Sequence, residues 1–231
     1  MRAPPYGRDI SLGLHDLTWI DPNDPEISFP PVSAALKEPD GLLAAGGDLS
    51  PERLMTAYRH GIFPWYEEGQ PILWWSPDPR AVIPVDAVHV SRSLQKLLRK
   101  NDYRVTFDTA FADVVSACAE PRAGSNGTWI TPQMQRAYIE LHRLGQAHSV
   151  EVWDMDDKLI GGMYGVLLEK VFSGESMFSR ARDGSKIAMV YIAQWLQMRG
   201  IEAIDCQLPN PHLMRMGAIE ISRDEFVARY L

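Results

Sequence analysis

The sequence predicts an α+β fold: a small N-terminal domain over residues 1–79, then a larger domain over 80–231 whose sheet is mostly antiparallel. Three observations predict it. "HSVEVWD", "KLIGGMYGVLLE" and "VFSGESMFS" succeed one another as β-rich runs with short turns between them, the mark of an antiparallel meander. Capped helices precede these runs, and a nearly all-apolar, therefore buried, helix follows them in "SKIAMVYIAQWLQMRG". Pro77 and Pro79 break regular structure between the two parts.

Taken in order, residues 1–35 carry six prolines; the first dozen residues read as a loose arm and the rest as irregular chain. "GGDLSPERLMTAYRHG" is a helix with Ser50 as cap, Pro51 at its first position and Gly61 as its stop. "IFPWYEEGQPILWWSPDPR" holds three tryptophans and four prolines, which places its aromatics outside element interiors. "SRSLQKLLRK" is a short helix with Leu94, Leu97 and Leu98 inward, and "DTAFADVVSACAE" another with Phe111, Val114, Val115 and Cys118 inward. A third runs from the cap Thr131 and Pro132 to Gly145. The meander comes next, with a turn at Asp156 and Asp157, then the buried helix, the strand "IEAIDCQ", and a closing helix capped by Ser222. Helices, antiparallel strands, buried helix, strand: that order resembles the core of GNAT-like acyltransferases.

Composition narrows the function classes. With 45% apolar and 23% charged residues the chain can bury a full core. Cys118 and Cys206 form no Cys-x-x-Cys, which suits a reducing cytosol, and the six histidines form no metal-spaced pair. No signal core and no run of 18 apolar residues occurs, so a cytoplasmic protein without membrane or metal partners is expected. A net charge of −7 means that any nucleic-acid contact must come from a local basic patch.

Several side chains could carry chemistry. Strand alternation puts Glu175, Met177 and Ser179 on one face, and a buried carboxylate beside a methionine needs a cationic partner. Asp205 and Gln207, two apart, share a face and form an acid–amide pair; Asp205 can equally cap the turn "LPNPHL". Arg92, Lys96 and Lys100 fall at i, i+4 and i+8, beside Arg99, with no acid between residues 91 and 101. Such a stripe can clamp successive phosphates or simply be a solvated helix face. Trp65, Tyr66, Trp74, Trp75 and Trp129 can seal two domains or stack on a base. Met163, Met177 and Met189 can line an adaptable apolar pocket or fill a core. "SRARDGSK" has a single glycine, Gly184, and lacks the spacing of an acetyl-CoA pyrophosphate loop.

Nine blocks in order, "FPP", "PDGLLAAGGDLSPERL", "GIFPWY", "ILWWSPDPR", "GTWIT", "AHSVEVW", "GGMYG", "GESMFSR" and "IDCQ", resemble the leucyl/phenylalanyl-tRNA–protein transferases of bacteria, from about residue 17 onward. The resemblance implies an aminoacyltransferase that moves Leu or Phe, sometimes Met, from aminoacyl-tRNA to proteins beginning with Arg or Lys, which marks them for degradation. It implies a GNAT-like domain after a smaller N-terminal one; a monomer without cofactor is expected. By position, Asp205, Gln207 and Glu175 match the family's catalytic residues. Trp65 and Trp129 match aromatics near the terminal adenosine. Met163, Met177, Met189, Ile192, Leu196 and Ile204 match the apolar aminoacyl pocket, with Ser179 on its border. Arg92, Lys96 and Lys100 fall where the family binds the tRNA stem. Gly184 and Arg215 depart from residues common in the family and bear on fine specificity. The alternatives are an acyl-CoA-dependent transferase and a non-catalytic module that reads tRNA ends.

Overall fold

The computed structural model of the 231-residue chain describes residues 17–121 and 128–231. The expected arm at residues 1–12 lies outside them.

The first part builds a four-stranded sheet. β1 (Thr18–Ile20) runs parallel to β2 (Leu42–Gly46), and α1 (Pro51–Arg59) follows, with β3 (Phe63–Pro64) and β4 (Leu73–Trp75) completing the order β1-β2-β4-β3. The helix starts as the sequence predicts: the Ser50 hydroxyl accepts from the Arg53 amide, and Gly61 sits at φ +74° beyond the helix end. The tryptophans correct the expectation that these aromatics lie outside elements. Trp74 and Trp75 form β4, the Trp74 indole donating to the Gly46 carbonyl at 2.9 Å and the Trp75 indole to the Trp65 carbonyl at 2.7 Å. β4 is buried on both faces, so its sequence has no alternation to betray it.

β5 (Arg80–Pro84) opens the second sheet. After it come α2 (Arg92–Lys100), β6 (Arg104–Phe107), α3 (Phe111–Ala119), α4 (Pro132–Arg143), β7 (Ala147–Trp153), β8 (Leu159–Leu167), β9 (Val171–Ser179), α5 (Gly184–Gln197), β10 (Ala203–Gln207), α6 (Pro211–Arg215), β11 (Ile219–Ile221) and α7 (Arg223–Tyr230). The order is β11-β5-β10-β9-β8-β7-β6, and β9–β10 is the one parallel pair. The fold is therefore α+β with a mostly antiparallel second sheet. The meander β7–β8–β9, the crossover α5 and the return of β10 beside β9 form the GNAT-like arrangement that the element order predicts.

Three apolar clusters fix which side each residue faces. α3 and α4 pack with the N-terminal sheet and Tyr164 of β8. α5 packs on the opposite face, against Met163, Phe172, Ile204 and Cys206. α7 covers Val82, Val171 and Ala203. α5 comes unusually close to β8: a Cβ at Gly161 would stand 2.5 Å from the backbone carbon of Gly184. Gly161→Ala must push the helix away and should cost about 1–3 kcal/mol, read as a lower denaturation midpoint at unchanged slope. A wild-type midpoint would mean that α5 yields without strain.

Candidate active site

β5, β10 and β9 lie side by side, and two irregularities in them create a polar cluster. The β10–β5 register shifts between Asp205 and Gln207, and Gln207 adopts φ +59°, a left-handed conformation rare for a side chain of its size. In the β8–β9 pair, Tyr164 faces Ser176 while Gly165 faces Gly174, so Glu175 is the extra residue of a bulge. The bulge corrects the alternation expected for β9. Glu175 bonds to Tyr138 of α4, whereas Met177 packs under α5 on the other face.

Glu175, Asp205, Gln207 and Arg80 are 2%, 1%, 0% and 1% exposed, so no solvent screens them. Asp205 has all of its acceptor capacity filled. Oδ1 accepts from Arg80 Nε at 2.8 Å and from the Gln207 amide at 2.9 Å; Oδ2 accepts from Arg80 Nη2 at 2.7 Å and from the Ser173 hydroxyl at 3.0 Å. Gln207 Nε2 donates to Glu175 Oε1 at 3.2 Å and to the Ser173 hydroxyl at 3.3 Å, and Tyr138 donates to Glu175 Oε2 at 2.8 Å. Tyr58 of α1 lies 2.6 Å from the Tyr138 hydroxyl. Gln207 Oε1 is buried and has no hydrogen-bond partner.

One guanidinium and two carboxylates leave the cluster one positive charge short when both acids are ionised. Burial pushes the Glu175 carboxyl from its ordinary 4.5 up to about 7; hydrogen bonds from Tyr138 and Tyr58 oppose the rise, the Asp205 charge adds to it and the Arg80 charge opposes it. A carboxyl raised in the folded state costs nothing below its unfolded pKa and destabilises as pH rises through the folded one. Between pH 4.5 and 7 the fold therefore loses stability on the order of 3 kcal/mol at this group. A bound cation beside Glu175 would offset that loss.

The other predicted residues fall into three places. Met163, Met177, Met189, Ile192, Leu196 and Ile204 come together in the cluster under α5, with Met163 directly opposite Met177 across β8–β9. They lie across the sheet from the carboxylates. The two sets meet at Gly174, where a Cβ would stand 2.6 Å from Met163 Cε and 3.4 Å from the Asp205 carbonyl oxygen. Trp65 and Trp129 are buried in the cluster that also holds Tyr58 and Tyr138, and Trp65 Nε1 has no partner. Ser179 is engaged by α5: its hydroxyl donates to the Ser185 hydroxyl at 2.9 Å and accepts from the Ser185 amide at 2.7 Å. The remaining amides of residues 184–187 go to the carbonyls of Ala181 and Asp183, so the first turn of α5 offers no free amides to a pyrophosphate. Arg92, Lys96 and Lys100 are exposed along α2. Contrary to the expectation of an unneutralised stripe, Lys100 pairs with Asp102 at 2.9 Å, one residue beyond the acid-free span 91–101.

Arg80, Ser173, Tyr138 and Tyr58 escaped the sequence reading. Arg80 had a signal: a cation heading the apolar run "RAVIP" cannot be buried unpaired. Tyr138 had one too, since it falls at i+4 from Met134 on the core face of α4.

Fold and cluster together define an α+β protein with a GNAT-like second sheet and a buried site short of one positive charge. The comparisons give the family. Residues 82–230 match "Leucyl/phenylalanyl-tRNA protein transferase" and residues 47–78 match its N-terminal domain. A leucyl/phenylalanyl-tRNA–protein transferase of Stutzerimonas stutzeri is 58% identical over 91% of this chain and 92% of its own length, and one of Pseudomonas fluorescens Pf-5 is 59% identical over 93% of each. A tandem GNAT protein from the clavulanic acid biosynthesis pathway aligns with 80% of this chain and 62% of its own at TM-score 0.36 and 9% identity. The chain belongs to the leucyl/phenylalanyl-tRNA–protein transferase family.

Tyr138→Phe removes a hydrogen bond to the Glu175 carboxylate and nothing of the ring packing. Hydrogen bonds to charged groups are worth about 1.5–3 kcal/mol, so Glu175 should titrate about 1–2 units higher than in the parent. Carboxyl carbon NMR across pH 5–10 reads this directly. An unmoved titration would separate the phenol from the acid.

Proposed function

We propose that this chain acts in the cytoplasm, as a monomer, to transfer Leu or Phe, and also Met, from aminoacyl-tRNA to the N-terminal Arg or Lys of acceptor proteins, which marks them for degradation. The observation that carries this reading is the buried cluster that lacks one positive charge and presents an unpaired acceptor, Gln207 Oε1, beside a carboxyl near pH 7. An α-ammonium supplies the missing charge. The domain from residue 80 carries the chemistry, and the unit through residue 79 supports it from beneath.

The donor is an ester, so peptide-bond formation is downhill without ATP. An α-amine has a pKa of about 7.7–8.0, and freeing it at pH 7 costs only about 1 kcal/mol, whereas holding amine and ester together contributes on the order of 7–11 kcal/mol. Positioning therefore dominates. Glu175, close to the amine in pKa, holds the ammonium and takes its first proton, which passes to solvent; the amine nitrogen attacks the ester carbonyl; Glu175 then carries the second proton from that nitrogen to the tRNA 3′-oxygen as it leaves. Asp205, with every acceptor site filled, orients Gln207. The six residues under α5 receive the donor side chain, where unbranched thioethers accept Leu, Phe and Met. Trp65 and Trp129 border the terminal adenosine, and the free Trp65 Nε1 offers it a donor. Occupied amides at the start of α5 weigh against the acyl-CoA alternative.

Single-turnover transfer from charged tRNA to peptides beginning with Arg, Lys, Asp or Glu tests the reading. Arg and Lys peptides should react and the acidic ones should not. Glu175→Gln should lose about 10-fold or more at pH 7 and recover part of it by pH 9, as free amine accumulates. No transfer to any peptide, together with tRNA binding, would leave a tRNA-reading module instead.

For the tRNA stem, Arg92 and Lys96 make no ion pair among the described residues, while Lys100 is shared with Asp102. Arg92→Ala with Lys96→Ala should flatten the slope of log affinity against log salt by up to ~2 units, and adding Lys100→Ala should flatten it by less than one more. An unchanged slope returns α2 to a solvated face.

A further inference from the structure

We infer that Arg80 is a positioning residue of the transfer site: it holds Asp205 in place and, through Asp205, holds Gln207 in the backbone conformation that presents its carboxamide. The inference rests on the proposed amine-binding role of that carboxamide.

Arg80 is unusually constrained for a side chain of its length. Besides the two parallel bonds to Asp205, Nη1 donates to the Gly61 carbonyl at 3.0 Å, and the guanidinium lies 5.0 Å from the Phe63 ring and 4.6 Å from the Phe226 ring. Three elements thus grip it: the turn after α1, β3 and α7. A fork gripped on all sides fixes both oxygens of its partner, which a lysine ammonium cannot do. The second link is the Gln207 amide, which donates to Asp205 Oδ1. Gln207 sits at φ +59° where the β10–β5 register slips, a conformation that persists only when its surroundings over-determine it. With Oδ1 held by Arg80, that amide has one place to point. Gln207 Nε2 then reaches Glu175, and Oε1 remains open.

A double-mutant cycle on single-turnover transfer distinguishes positioning from bulk support. Arg80→Lys should slow transfer by about 10-fold or more with donor KM within about two-fold, because the donor is held elsewhere. In an Asp205→Asn background the same change should cost less than about two-fold, since residues acting through one another are not additive. Additive losses, or a wild-type rate for Arg80→Lys, would overturn the inference. A second arm needs no substrate. Arg80→Gln leaves the Asp205 carboxylate buried without its counter-charge and should lower the melting temperature at pH 7. In an Asp205→Asn background the same change should lower it much less, because no charge is left unpaired. Equal losses of melting temperature in the two backgrounds would overturn the inference. If the wild type fails to transfer at all, the functional reading falls, and this arm still decides whether Arg80 holds Asp205.

Discussion

The pairing of Arg80 with Asp205 ties the molecule's parts to one another. Its guanidinium spans from the turn after α1 to α7 while gripping β10, so the N-terminal unit, the C-terminal helix and the centre of the second sheet converge on one planar group. A buried ion pair is not in itself a source of stability, because desolvating both charges costs about as much as their attraction returns. What it supplies is geometry. Two parallel bonds fix the Asp205 carboxylate, and that carboxylate fixes the Ser173 hydroxyl and the Gln207 amide.

Glu175 has the opposite character. It receives donors from two sides and no cation, so its charge is carried at a cost that grows with pH. Tyr58 and Tyr138 moderate that cost and do not remove it. On the proposed function, the site is thus complementary to an ammonium before any ammonium arrives: the favourable interaction it lacks in the free protein is the one a substrate brings. With its carboxyl raised to about 7, the acid lies close in pKa to an α-amine, so on the proposed function it can take a proton from the amine and pass one to the leaving oxygen.

Much of this was legible in the sequence, for local reasons. Caps at Ser50, Thr131 and Ser222 accept backbone amides, and those signals are read from neighbouring residues alone. The meander and the buried helix were readable from apolar periodicity. β4 was not, because both its faces are covered; nor were β3 and β11, at two and three residues. The site was legible in its identities and not in its geometry. Strand period predicted Glu175 and Met177 together, but one unpaired residue in β9 inverts the parity beyond it and sends them to opposite faces. Arg80 lies 125 residues from Asp205, and no local pattern announces such a partner.

That inversion has a chemical use. An aminoacyl ester carries an apolar side chain and a reacting carbonyl a few bonds apart, and the two need opposite surroundings. β9 supplies both: its thioether Met177 turns toward α5, and Glu175 turns toward Tyr138. Gly174, next before Glu175, has no side chain, and the strand is only half-buried there and at Met177. A Cβ at 174 would stand 2.6 Å from Met163 Cε, which would have to swing aside, and in ordinary contact with the Asp205 carbonyl. On the proposed function, the donor side chain sinks among the methionines on one face while the acceptor amine is held on the other. The forming bond then falls beside Gly174, the thinnest point of the strand. Apolar fit and charge balance can thus be tuned separately, because the residues that set them lie on opposite faces of one strand.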